Sequence, residues 1–401
     1  NAYDNTATGY MALYSSTTGS SNTATGSKAL YSNSSGTGNT AYGATALYSN
    51  STGYGNIGIG SRSLYKNSTG SSNTASGEDA LYFNTTGDNN TANGASTLYK
   101  NISGNGNVAI GYTSLYNNTI GGANVANGME SMASNTSGGG NAAYGFSALS
   151  ANTTGVYNVA IGRESLNTNT TGNSNTAVGY LADVSASNLT NATAIGAGAV
   201  VNASNKVRIG NNSVTVIEGK VAFSYPSDAR FKYNIKDNVP GLEFIKKLQP
   251  VTYYFDEEKL EEFTKTGDIN NSEIMPVSFK ERTLHTGFLA QDVEKIAKSL
   301  GYSFDGVHAP ANDKDHYSLA YSQFIMPLVK AVQEVNTELE NLNAENKILK
   351  SEIKNIINLT HENNLLWEKQ QKMMEAQIRE NKEMARLIAD LKVKIESLYK
   401  K

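Results

Sequence analysis

Apolar positions in the first half of the chain return every 17 residues. From Asn5 the units read NTATGYMALYSSTTGSS, NTATGSKALYSNSSGTG, NTAYGATALYSNSTGYG and NIGIGSRSLYKNSTGSS, without insertion through the unit that starts at Asn175. The fifth position is glycine from Gly9 through Gly179, and again at Gly196 in the degenerate last unit. The ninth is Leu or Met from Leu13 through Leu166, and a second glycine recurs from Gly19 to Gly172. A fixed period of this length predicts a solenoid. Within a unit, NTAxG alternates small or apolar residues with polar ones, as a short strand does. Glycine then admits backbone angles that other residues resist. The xxALY piece sends one apolar anchor inward, and SNTTG carries turn chemistry. About twelve coils at roughly 4.8 Å each predict a rod of roughly 60 Å.

One leucine per coil makes a thin core, so several chains are expected to associate. A tyrosine follows that leucine from Tyr14 through Tyr116, after which Ala133, Ser150 and Asn167 take its place. Such a row stacks between coils or chains in preference to presenting a sugar-binding face.

The last third has a different period. Val332, Val335, Leu339, Leu342, Asn346, Leu349, Ile353 and Ile356 alternate spacings of three and four, a heptad seam with one polar member to set register or strand number. The seam blurs between His361 and Gln377, where a stutter, a bend or a hairpin is open, and resumes from Met384 through Leu398. Self-association is favoured over a helix packed within one chain.

Charge divides at the same border. Of 33 basic and 36 acidic residues, eight of each lie before Val221, leaving 25 and 28 in the remainder. Neither part is basic, so no nucleic-acid partner is expected. Cysteine is absent, so there is no disulfide framework or thiolate metal site, and no metal or cofactor is expected. No apolar run suits a membrane helix. The chain opens NAYDNTATG, without Met and inside a running repeat, and reads as a fragment or processed form.

At the border stands SDARFKYNI, Ser227 to Ile235. Its lead-in, Asn205 to Phe223, reads as short strands with turns at Gly210–Asn212 and Glu218–Gly219. Alone, SDARFK is a helix start with Ser227 or Asp228 as N-cap and Lys232 on a solvated face. Three further blocks follow: LQPVTYYF from Leu248, HTGFLAQDVEKI from His285 and HYSLAYSQFIMPLVKAVQEV from His316. In this order the four blocks outweigh the N-cap reading. Together they resemble the peptidase S74 domain, the intramolecular chaperone of endosialidase and other phage tail proteins. The repeats, through NVAIG at Asn107 and Asn158 and ATAIG at Ala192, resemble the trimeric β-roll heads of bacterial adhesins and phage fibres.

The resemblance implies a multidomain homotrimer: a β-solenoid shaft over 1–204, a β linker over 205–226, a small α+β chaperone and autoprotease domain over 227–327, and coiled-coil trimerisation helices over 328–401. It also implies single-turnover cleavage of the Pro226–Ser227 bond, with Ser227 as nucleophile and Lys232 as its base. Asp228, Arg230 and Asn234 would shape the loop, Arg230 either anchoring it or lowering the lysine pKa as a neighbouring cation, and His285 and Gln291 would support the site. The expected setting is a virion tail fibre or a bacterial surface, with a host-cell glycan or protein receptor as partner and no membrane insertion. A glycan depolymerase with its active domain upstream is the alternative. Against it, acidic residues in the repeats are few and scattered (Asp4, Glu78, Asp79, Asp88, Glu130, Glu164, Asp183), where a hydrolase wants a close pair. A non-cleaving structural adhesin is a further alternative. An anchored autotransporter would need a C-terminal membrane β segment, where this chain reads KIESLYKK.

Overall fold

The 17-residue period becomes a parallel sheet of 13 short strands, from Thr6–Thr8 to Val207–Ile209. The computed structural model describes residues 2–264 and 283–399. Strand register equals the repeat: Thr6 pairs with Thr23, and Ala24 with Ala41. Only the last step is shorter, Thr193 pairing with Val207. The sheet therefore runs past the expected shaft limit at residue 204. Two residues per coil, Asp183–Val184 and Val200–Val201, add a small second sheet at this end.

The core is more polar than one leucine per coil suggests. Most strands bury a middle alanine (Ala24, Ala41, Ala75), and the Leu30-to-Leu166 row is buried behind it. Two rows of asparagine are buried as well. Asn39 donates its backbone N–H (2.9 Å) and its Nδ2 (3.1 Å) to Asn22 Oδ1, and Nδ2 also reaches the Gly53 carbonyl at 2.8 Å. In the second row, Asn50 Nδ2 donates to Asn33 Oδ1 at 2.8 Å and to that same Gly53 carbonyl at 3.0 Å. One glycine carbonyl thus ties both ladders together, and the pattern repeats coil after coil. Buried polar groups that are fully partnered in this way rigidify a core. The ladders are a source of cohesion within one chain that the thin leucine row did not foretell.

Two glycine rows make the close approach possible. Gly43 has φ 141°, and a Cβ there would sit 2.5 Å from the Gly60 carbonyl of the next coil. A Cβ on Gly53 would strike Asn50 Oδ1 and the Gly70 carbonyl. The core leucines themselves are left-handed, with φ between 49° and 53° from Leu13 to Leu166. That conformation costs a non-glycine residue about 1 kcal/mol. Burial offsets it, together with a bond from each leucine N–H to the next coil, such as Leu30 to the Ala46 carbonyl at 3.0 Å. Tyr14 through Tyr116 stack ring on ring, with centroids 5.0–5.4 Å apart.

Beyond Ile209 the expected linker strands do not form. Among the described residues, 210 to 228 carry no strand, and Val216, Phe223 and Tyr225 are exposed. A linker without a second edge has nothing to complete its hydrogen bonds within one chain.

The chain divides into two units. The first joins Asn1–Lys232, Val251–Gly287 and His308–Ser318; it includes an antiparallel pair, Val251–Tyr254 with Leu284–Gly287. The second joins Tyr233–Pro250, Phe288–Val307 and Leu319–Lys401. Its core packs Phe244, Val293, Ala297, Phe304 and Phe324, with the amphipathic helix Ala290–Ser299 laid against the aromatic cluster. The Leu242 N–H donates to Glu334 at 2.6 Å, pinning the short helix Leu242–Ile245 to the long one.

That long helix, Ile325–Leu398, runs 74 residues without a break, so the blurred seam contains no hairpin. Only Pro327 and Ala331 of it are buried, and the seam residues Leu342, Leu349 and Ile353 stand in solvent.

Candidate functional site

The SDARFK segment folds as one tight turn. Asp228 caps the 3-10 turn Ala229–Phe231, its Oδ1 accepting from the Arg230 N–H at 2.9 Å. The Phe231 N–H then bonds the Asp228 carbonyl at 3.1 Å, and the Lys232 N–H the Ala229 carbonyl at 3.2 Å. This winding turns the chain back, so that residues five apart meet. Lys232 Nζ lies 2.7 Å from Ser227 Oγ. Both side chains are exposed.

Arg230 is committed elsewhere. Its guanidinium pairs with Asp228 at 2.6 Å and lies over the Phe231 ring, 5.7 Å from the centroid. Hydrogen bonds from the Arg230 side chain, then from its backbone, hold the Asp228 carboxyl below its usual range, and Asp228 in turn raises the Arg230 guanidinium. With its charge balanced this way, Arg230 anchors the turn and is a poor source of field on the lysine. Asn234 takes φ 54°, a left-handed angle that asparagine tolerates better than most residues.

His285 lies on the strand Leu284–Gly287, its ring stacked on Tyr253 at 5.6 Å. Among the described residues it shares no hydrogen bond with Ser227 or Lys232. Gln291 is exposed in the first turn of the helix Ala290–Ser299. The geometry thus joins Ser227 with Lys232 and Asp228 with Arg230, and gives His285 another partner. Pro226, before the serine, is exposed in the linker, its carbonyl one bond from the Ser227 nitrogen.

Two groups outside this turn escaped the sequence reading. Asp183 is buried where the leucine row ends, accepting from the backbone N–H of Thr168 (3.0 Å) and of Val184 (2.8 Å). Burial, only partly offset by those bonds, pushes its carboxyl up to about 7. The second is a polar cluster around Asn202, Lys206 and Asp315, whose members stand more than a hundred residues apart. An aspartate at a leucine position was the one available signal for the first; no local signal marks the second.

A repeat shaft is followed by a Ser–Lys turn, a small aromatic-cored unit and a long helix. Residues 227–302 match the family model of Peptidase_S74, described as the chaperone of endosialidase, and the chain carries that domain C-terminal to its β-solenoid. The match begins at Ser227 itself. A comparison with curated proteins finds no match. Among the described residues, no helix is long and apolar enough to cross a membrane.

Proposed function

We propose that this chain is a homotrimeric tail-fibre-type protein whose S74 domain templates the shaft and then cuts the chain once, between Pro226 and Ser227. The observation that carries the reading is the 2.7 Å contact from Lys232 Nζ to Ser227 Oγ at the first residue of the matched domain.

In the proposed chemistry, Lys232 as a neutral amine takes the Ser227 hydroxyl proton while Oγ attacks the Pro226 carbonyl carbon. Backbone N–H groups hold the oxyanion. The C–N bond breaks, the lysine proton passes to the Ser227 nitrogen, and an ester joins Pro226 to Oγ. Water, deprotonated by the same lysine, hydrolyses that ester to a Pro226 carboxylate and a free Ser227. A lysine is a base only in its neutral form, which burial favours. In one chain both side chains are exposed, so the covering comes from the other copies. That requirement couples the cut to assembly, and severing the template's covalent link leaves a shaft that cannot easily refold once opened.

The shaft then serves as a spacer or as a rod that contacts a cell-surface glycan or protein, in a virion tail or on a bacterial surface. The depolymerase reading gains nothing from the structure: Glu78 and Asp79 are both taken up by Arg62, at 3.0 and 2.6 Å.

The test compares residues 1–401 with Ser227→Ala and Lys232→Ala by intact mass and native oligomer state. A fragment beginning at Ser227 from the parent alone supports the reading. Three full-length trimers would leave an assembly cap without chemistry, and a monomeric parent would overturn the architecture.

A further inference from the structure

The last solenoid coil and the loop 308–318 are joined by a dense polar cluster. Lys206 Nζ donates to Asp315 Oδ1 at 2.8 Å and to Asn202 Oδ1 at 3.0 Å. Asp315, 8% exposed, shapes its own loop as well, accepting from the Ala311 N–H at 3.0 Å and the His316 N–H at 2.9 Å. Asn202, 3% exposed, donates Nδ2 to the Lys314 carbonyl at 2.8 Å and lies 3.3 Å from His316 Nδ1. Its own carbonyl accepts from Asn312 Nδ2 at 3.0 Å. This cluster replaces the asparagine ladders where they run out, closing an end that a solenoid otherwise leaves open.

Four of these contacts cross the proposed cut: Lys206 to Asp315, Asn202 to the Lys314 carbonyl and to His316, and Asn312 to the Asn202 carbonyl. Asn202 and Lys206 precede Pro226, while Asn312, Lys314, Asp315 and His316 follow it. We propose that the loop 308–318 is a polar clasp on the last coil, which keeps the chaperone fragment docked on the shaft after the chain is cut. This extends the cleavage reading and rests on it: the partner is the chain's own other piece. A half-buried, hydrogen-bonded ion pair suits that task, because removing Lys206 leaves the buried Asp315 charge without its cation. Such losses act mainly on the rate of release.

The test uses the full chain carrying Ser227→Ala, with a sequence-specific protease site replacing Glu218–Val221 in the exposed linker. After folding and protease cutting, release is followed by native mass spectrometry and size exclusion. Both pieces are expected to stay together. Lys206→Met should speed release at least tenfold, and Asn312→Ala, at an exposed position, several-fold. Pieces that separate at once with the clasp intact, or variants that release at the parent rate, would overturn the clasp. If Lys206→Met changes the circular dichroism of the uncut chain, Asn312→Ala decides alone. Because the protease makes the cut, a failure of self-cleavage is read separately, from the mass of the chain with Ser227 intact.

Discussion

Lys232 Nζ donates to Ser227 Oγ across a turn that Asp228 and Arg230 close from the other side. The contact is set by local winding, which separates the residue that supplies chemistry from the pair that supplies shape. Lys232→Arg keeps length and charge but substitutes a guanidinium that does not lose its proton in proteins. It should abolish the cut, giving a single full-length mass. Asp228→Ala removes the cap and the ion pair while sparing both reacting groups, and should slow fragment appearance by roughly fivefold. A rate equal to the parent's would show that the turn needs no such closure.

The asparagine ladders make the shaft sensitive at positions that read only as strand and turn residues. Asn73 Nδ2 donates to Asn56 Oδ1 and to the Gly87 carbonyl, and its Oδ1 accepts twice from Asn90. Asn73→Ala orphans several buried groups and should cost about 2 kcal/mol or more. Asn5→Ala, at a half-buried position on the first coil, should cost less. Denaturant unfolding, with amide exchange at Thr74–Ser76 and Thr91–Asn93, checks both, and equal costs would remove the ladder from the account.

The period, the leucine row and the heptads were legible because each is a spacing along the chain. The asparagines were not, since whether an SNTTG segment points inward depends on coils 17 residues away in both directions. Left-handed leucines run against local preference and exist because neighbouring coils hold them. The Ser227–Lys232 contact was legible from five-residue spacing once the blocks around it were recognised. The Arg230 partner was legible only as an alternative, and the His285–Tyr253 stack depends on strand pairing that SDARFK does not encode. The clasp joins residues 109 apart and leaves no local trace.

Asp183 gives the shaft a pH dependence. Its carboxyl is raised in the folded chain to about 7, from an ordinary 3.8. The folded state therefore favours the protonated form. That contribution is fully present below about 4 and is lost as pH rises through about 7. Asp183→Asn keeps an oxygen for the Thr168 and Val184 N–H groups without the charge. It should slow amide exchange around Thr168–Val184 at pH 8, by a factor corresponding to about 2–4 kcal/mol, with little effect at pH 4. Equal protection of parent and variant at pH 8 would mean that the carboxylate is already relieved by solvent.

The long helix carries the last prediction. Leu342, Leu349 and Ile353 lie on one stripe and are each more than half exposed in the single chain. Asn346, within the stripe, bonds only its own Leu342 carbonyl, at 3.0 Å, among the described residues. Helices of this length keep such a seam in water by closing it on one another. Leu342→Asp together with Leu349→Asp should give monomers in sedimentation, and Asn346→Leu should raise stability while loosening control of strand number. The double variant also separates two ideas. If it is monomeric and uncut, assembly supplies the cover that Lys232 lacks in one chain. If it is monomeric and still releases a fragment beginning at Ser227, the site is complete within a single chain and the coupling fails. If it remains trimeric, the copies are held elsewhere, with the exposed apolar residues of the 210–226 linker the next surface to alter.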